Sequence, residues 1–504
     1  MRCGIVFALI AWLPATAPAD ALVRGAVVYD GTGSPGRVAD VRVTGERITE
    51  VGTGLEPRPG EPVLEARGLA LAPGFIDMHS HADEGLLDDP DAATLTRQGV
   101  TTVVVGQDGE SPYPLAEWYA ALEAHPAAIN VASLAGQSTL RAGVMGADLY
   151  RAATPAEVSR MSALLDRELA AGAFGLSTGL EYEEAHFSST DEVVALARVA
   201  AAHGGYYVSH VRDEGNAVFE SWDEVLRIGR EAGLPVEISH IKLGTTPVWH
   251  QAATRMPDYF EQARRDSVKL SADVYPYDYW HATIRVMVPD RDWFNADKVS
   301  KAIADNGGPG AIRLGRYGPD PSLAGRTLAE VAAAWHLTPV EAYMRIVRET
   351  DAGGEDGPRQ ESVLVTSMAD DDLRWFIANP AIMFCSDGSL HGSHPRGAGA
   401  FARVLGRYVR DEHVLSLEVA IHKMTGLSAG WLGLPDRGRI AAGQVADLVL
   451  FDPATVSDRS TVAEPAAPPV GIPDVMVSGT WVVLDGTVTG ARPGRVLRRP
   501  APTR

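Results

Sequence analysis

Through most of its length the chain alternates two hydrophobic patterns. One is a short apolar run closed by glycine or a polar side chain: GVTTVVVG, GAFGLSTG, GGYYVSHV, LPVEISHI, KLSADVYPY and AIMFCSDG. Runs this short, bounded by turn residues, predict buried strands. The other pattern places apolar residues three or four apart, as in DEVVALARVAAAHGG and WDEVLRIGREAG, and predicts amphipathic helices. Strands alternating with helices over residues 72–435 predict an α/β fold, a (β/α)8 TIM-like barrel. Residues 281–380 are helix-rich and too many for one strand–helix unit, so an insertion is expected around 281–345.

The two ends follow a different rhythm. ALVRGAVVYDGTG, ADVRVTGERITEVG and ALAPGF are short apolar runs separated by turn signals. GRIAAGQVADLVLFDP and VMVSGTWVVLDG repeat that style near the C-terminus. Residues 20–71 and 436–504 are therefore expected to be β-rich pieces, one at each end, the second closing in a tail.

Residues 1–19, MRCGIVFALIAWLPATAPA, read as a signal peptide. Arg2 supplies a positive start, Gly4 to Leu13 an apolar run too short to span a bilayer, and Ala17-Pro18-Ala19 a small-x-small cleavage pattern. Cys3 precedes the apolar run and does not fit a lipid anchor. A periplasmic or secreted protein, cleaved near Ala19 and without a stable membrane anchor, is expected. The net charge of −20 argues against nucleic acid or anionic lipid as a partner. Two cysteines exclude a disulfide scaffold and a metal site of three or four thiolates.

Candidate chemistry sits where the apolar runs end. His79 and His81 in FIDMHSHAD are two apart, so on a strand both imidazoles face one side and can share a cation. His210 ends GGYYVSH, His240 ends LPVEISH and Asp387 ends AIMFCSD. The C-terminal face of a barrel displays its catalytic groups at these places.

These residues, with LAPGFIDMHSHAD, GLSTGLEY, HVRDEG, EISHIKLG, DVYPY and HPRGAGAF, make a chain that resembles the amidohydrolase superfamily, and within it the D-aminoacylase (N-acyl-D-amino-acid deacylase) family. The resemblance runs over nearly all of the chain after residue 19 and implies that residues 20–71 and 436–504 build one small β-sandwich from both chain ends. It implies that His79 and His81 bind one metal, that His210 and His240 bind a second, and that Asp387 is the catalytic carboxylate near the first. It implies zinc, two divalent ions per subunit, although imidazole and carboxylate ligands also suit cobalt, manganese or iron. It further implies that Lys242, Arg396, Tyr182, Tyr275 and Tyr277 hold the carboxylate of a small-molecule substrate.

One segment departs from that pattern. The family carries a cysteine ligand in G-N-C-G, whereas this chain has Gly106-Gln107-Asp108-Gly109. Two carboxylates can stand in: Glu181, at the end of the fourth strand, and Asp108, at the cysteine's own position. Glu181 is the expected bridge between the metals, with Asp108 as the alternative ligand.

The first functional reading is an exported amidase that cleaves N-acyl-D-amino acids by attack of metal-bound hydroxide, Asp387 carrying the proton to the leaving nitrogen. A second keeps the site and changes the substrate to a dipeptide, a cyclic amide or imide, or a lactone. A third, a non-catalytic binding protein on this barrel, is disfavoured by the retention of all four histidines and Asp387. The oligomeric state is left open.

Overall fold

The computed structural model describes residues 20–351 and 360–499. The expected signal peptide lies outside the described residues. Eight parallel strands form the barrel: Phe75–Asp77, Val100–Val105, Asn130–Ser133, Gly175–Gly179, Tyr206–His210, Val236–Ile238, Leu270–Val274 and Ile382–Phe384, here the first to eighth barrel strands. The first three pair in sequence order, as do the last five. Ala135–Gly136 continues the third strand and pairs with the fourth. A bridge between Ser80 and Gly388 closes the ring, and the Asp387 N–H donates to the His79 carbonyl at 2.8 Å.

The helices cover the strands with the faces their periodicity sets. In Val218–Ala232, Trp222, Val225, Leu226 and Ile228 are buried, and the helix stops at Gly233, whose left-handed φ of 72° caps it. In Thr190–Ala202, Ser189 caps the start by accepting from the Glu192 N–H, and Val193, Leu196, Ala197 and Ala200 face inward.

The chain ends meet in one nine-stranded sheet. Ala70–Pro73 pairs antiparallel with Leu448–Phe451, joining the N-terminal strands to those that follow. Val23, Val41, Leu71, Leu448, Leu450 and Met476 share its core, so neither end buries its apolar face alone. The last described residues leave this sheet and return to the barrel, where Val496 pairs with Val131 of the third strand.

The insertion is larger than its sequence pattern suggests. Its antiparallel strands are Tyr279–Ala282, Ile312–Tyr317 and Glu361–Thr366, the last of these in the middle, so the unit runs about twenty residues beyond the expected 345. Helices Ala296–Asp305, Leu328–Trp335 and Pro339–Asp351 pack on it around Ile284, Val299, Leu314, Tyr317 and Tyr343. This core is separate from that of the barrel, and residues of the unit form one wall of the cleft above the strand ends.

Candidate metal centre and cleft

The barrel brings four histidines and two carboxylates together at the C-terminal ends of its strands. His79 and His81 follow the first strand, Asp108 the second and Asp387 the eighth. His79 Nε2 lies 3.4 Å from Asp108 and 3.7 Å from Asp387; His81 Nε2 lies 3.5 Å and 3.3 Å from the same carboxylates. His210 ends the fifth strand and His240 follows the sixth. His210 Nδ1 and His240 Nε2 converge at 3.1 Å. Asp108 also reaches this pair, at 3.9 Å from His210 Nδ1 and 3.3 Å from His240 Nε2.

The geometry therefore puts Asp108, not Glu181, between the two histidine pairs. Asp108 Oδ1 faces His79 and His240, and Oδ2 faces His81 and His210. Glu181 stands on the outer side of His210, accepting at 2.9 Å from the Nε2 that points away from Asp108. A carboxylate there orients one imidazole and does not reach His79 or His81. Glu181, His210 and Glu214 make a further acidic group on that outer face.

Local backbone geometry aims these side chains. Asp108, His240 and Asp387 all take left-handed φ values, of 53°, 31° and 49°. Non-glycine residues rarely do so, and such conformations persist where surrounding structure holds them. Asp273 in the seventh strand is one such hold: its carboxylate accepts from the His240 N–H at 2.7 Å. Gly179 is another, because a Cβ there would stand 2.1 Å from the Asp108 carbonyl. Only glycine lets the Asp108 turn lie on the end of the fourth strand.

The donor set fits divalent cations. Both ring nitrogens of His79 and Oδ1 of Asp108 are buried with no hydrogen-bond partner among the described residues. Unsatisfied groups in such an arrangement are what a metal ion would engage. Burial pushes the Asp108 carboxyl up, but His79 and His240 outweigh it and hold the group well below the usual carboxylate range. Asp387 behaves alike: Arg396, His240 and His81 overcome its burial and keep it ionised.

The expected substrate-binding cations both line the cleft, each paired with an acid. Lys242 Nζ donates to both oxygens of Glu214, at 2.6 and 2.8 Å, and lies 2.8 Å from His240 Nδ1. Arg396 Nη1 pairs with Asp387 at 2.6 Å. Each is thus matched by an acid, and each orients a member of the centre. Tyr182 and Tyr275 do line the cleft. Among the described residues the Tyr275 hydroxyl has no hydrogen-bond partner, and its ring lies under the Arg396 guanidinium, 4.7 Å from ring centroid to Cζ. Tyr277 does not reach the cleft. Its hydroxyl lies 3.5 Å from the Pro395 carbonyl and Ser460, and Arg403 covers its ring. Glu214 was the functional group hardest to read from sequence, because HVRDEG suggests only a loop that aims His210. Its neighbour Arg212 does play that structural part, gripping Glu224 at 2.8 and 2.9 Å.

The cleft above the centre holds about 1030 Å³ and is walled by barrel loops and by Trp280 to Asn306 of the inserted unit.

Comparison with known proteins shows the family. A model of the "Amidohydrolase family" matches residues 63–336 and 320–483. The chain is 38% identical to a D-aminoacylase of Alcaligenes xylosoxydans xylosoxydans, covering 96% of this chain and 98% of that one. It is 37% identical to an N-acyl-D-glutamate deacylase of the same organism, over 96% and 97% of the two chains. Among solved structures it is similar to D-aminoacylase, described with a binuclear metal centre, with a TM-score of 0.83 at 36% identity over 96% of this chain and 100% of that one. It is also similar to N-acyl-D-glutamate deacylase from Bordetella bronchiseptica, complexed with zinc and a phosphonate mimic of the tetrahedral intermediate. There the TM-score is 0.84 at 34% identity, over 95% of this chain and 99% of that one. A D-hydantoinase at 14% identity and a TM-score of 0.57 shares the fold.

Proposed function

The chain belongs to the amidohydrolase family, and from that premise we propose that it is a metal-dependent deacylase of N-acyl-D-amino acids. The observation that carries the reading is the convergence of His79, His81, His210 and His240 on Asp108 and Asp387, with buried donor atoms left unpaired. Full-length similarity to enzymes named for N-acyl-D-amino acids supports the substrate class. His79, His81 and Asp387 would hold one divalent ion, His210 and His240 the other, with Asp108 shared; zinc is the proposed metal. The apolar run and small-x-small pattern of residues 1–19 support export.

Bound divalent ions supply Lewis acidity and bring the pKa of water at the site into the neutral range. The chain's own residues do the rest. Asp387 turns Oδ1 toward His79 and His81 and binds Arg396 through Oδ2. Held ionised, it accepts a proton from the attacking water and delivers it to the leaving amine nitrogen. Amide cleavage needs that delivery, because an amide anion leaves poorly. Arg396 fixes the plane of the carboxylate, and Glu214 and Lys242 fix the ring of His240. Tyr275 offers a buried hydroxyl donor to the substrate.

The test uses protein reconstituted with defined metals and a panel of N-acyl-D- and N-acyl-L-amino acids, dipeptides, cyclic amides and lactones. Turnover of the N-acyl-D series above all others is expected. Asp387→Asn should lower kcat by at least a thousandfold with KM little changed, since the carboxylate acts in the transition state. Unchanged turnover in that variant rejects the mechanism, and a preference for another series rejects the substrate.

A further inference from the structure

Asp387 stands in a turn beyond its strand, and the turn is an unusual one. Its φ of 49° is left-handed, a conformation that an aspartate keeps only where its surroundings hold it. Three consecutive backbone N–H groups reveal the hold. The Ser386 N–H donates to Asp77 Oδ1 at 2.7 Å. The Asp387 N–H donates to the His79 carbonyl at 2.8 Å. The Gly388 N–H donates to Ser386 Oγ at 3.1 Å, and that hydroxyl in turn donates to Asp77 Oδ2. All three therefore end, directly or through one hydroxyl, on Asp77 and His79.

Asp77 is the last residue of the first barrel strand, and Ser386 lies two residues beyond the eighth. Both are wholly buried, and neither is among the residues lining the cleft, so neither touches a substrate there. Hydrogen bonds shielded from water in this way are stronger than the same bonds in solvent. Asp77 Oδ1 also faces the His79 N–H at 3.4 Å, so one carboxyl grips the main chain of both His79 and the Asp387 turn. The opposite side of the turn is fixed by close packing. A Cβ on Gly388 would stand 2.4 Å from the Gly397 Cα. That approach seats the start of helix Arg396–Arg403 on the turn and brings Arg396 to Asp387.

We propose that Asp77, acting through Ser386, is a positioning residue for Asp387: the two clamp the left-handed turn so that Oδ1 faces His79 and His81 while Oδ2 faces Arg396. The inference rests on the deacylase reading for the part Asp387 plays in proton transfer. A proton carrier has to stay within hydrogen-bond reach of the group it serves, and a small rotation of the turn takes the carboxylate out of reach. No proton passes through Asp77 or Ser386.

The test compares metal-loaded wild type with Ser386→Ala, Asp77→Asn and the double variant. Kinetics on N-acetyl-D-leucine and N-acetyl-D-glutamate at saturating zinc read the chemical step. Visible absorption of the cobalt-loaded proteins, without substrate, reads the surroundings of the ions that Asp387 faces. In each single variant kcat should fall at least tenfold with KM within twofold of wild type, since a misplacement of about 1 Å can cost roughly a hundredfold. The cobalt absorption should change at equal cobalt content. The double variant should be no slower than the slower single variant, as residues acting as one unit require. Asp77→Asn keeps the shape and carries the test if Ser386→Ala fails to fold. A kcat within twofold of wild type overturns the proposal. A rise in KM as large as the fall in kcat also overturns it, because the pair then shapes the cleft instead. Losses that multiply in the double variant overturn it as well, because Asp77 then does not act through Ser386. If wild type hydrolyses no N-acyl-D-amino acid while both substitutions still alter the cobalt absorption, the deacylase reading fails and the positioning role stands; if the absorption is unaltered too, both fail.

Discussion

At the scale of single residues, the centre turns on Asp108, a carboxylate at the position where the family resemblance implies a thiolate. Asp108 meets both histidine pairs at 3.3 to 3.9 Å, which Glu181 does not. Asp108→Asn keeps the shape and removes the charge. Metal analysis after dialysis against a chelator should then show at most one ion per chain where wild type is expected to hold two, with affinity at least tenfold weaker. Glu181→Gln should retain both ions. Two ions at wild-type affinity in Asp108→Asn would falsify the bridge. The sequence disclosed His79, His81, His210, His240 and Asp387 because each closes an apolar run. It did not separate Asp108 from Glu181, since both follow strand ends equally well. The choice depends on distances across the barrel and on a left-handed turn, neither of which leaves a periodic trace. Pairing of Lys242 with Glu214 and of Arg396 with Asp387 was hidden for the same reason: charge neutralisation is a tertiary property.

At the scale of elements, the inserted unit was legible as an excess of helical pattern and illegible as a sheet. Its middle strand, ESVLVT, lies beyond residue 345, the expected end of the insertion, and pairs on both sides with strands far back in sequence. That strand carries a buried carboxyl with a consequence. Glu361 accepts from the Ile284 N–H at 2.9 and 3.1 Å and from the Thr283 hydroxyl. Burial still pushes its carboxyl up to about 7, against the lowering effect of these bonds and of Arg285. The folded state therefore keeps a proton that the unfolded chain, with an ordinary carboxyl, has already lost. Stability from this group is complete below the unfolded pKa and is lost as pH rises through about 7. A shift of this size is worth roughly 3 kcal/mol. Denaturant unfolding of wild type and Glu361→Gln at intervals from pH 5 to 8 should show a steeper loss of stability in wild type. Parallel curves would place the cause elsewhere.

At the scale of the whole molecule, the question is how a barrel keeps its fixed geometry when its companion sheet is made from both ends of the chain. The strand-rich style of the two ends was plain in the sequence, as was the barrel; the polar part of their junction was not, because its partners to one buried aspartate come from separate segments of the chain. Asp447 accepts from Arg437, from Asn130 of the third barrel strand at 3.1 Å, and from the Ser478 N–H of the sheet at 2.7 Å. Its carbonyl accepts from the Gly74 N–H, just before the first barrel strand, at 2.8 Å. One residue thus ties the barrel to both halves of the sheet, with Arg437 and Asp447 nearly excluded from solvent. Removing one partner of a buried pair leaves the other charge uncompensated and costs about 3–5 kcal/mol, whereas removing both costs less. Asp447→Ala should therefore unfold at clearly lower denaturant than wild type, and a further Arg437→Met change should recover part of the loss. Asp447 is not among the residues lining the cleft, so turnover per metal-loaded, folded molecule should stay at the wild-type value. A double variant less stable than Asp447→Ala would mean that Arg437 acts mainly through its packing. A fall in turnover in parallel with stability would mean that the junction sets the geometry of the metal centre as well as the cohesion of the fold.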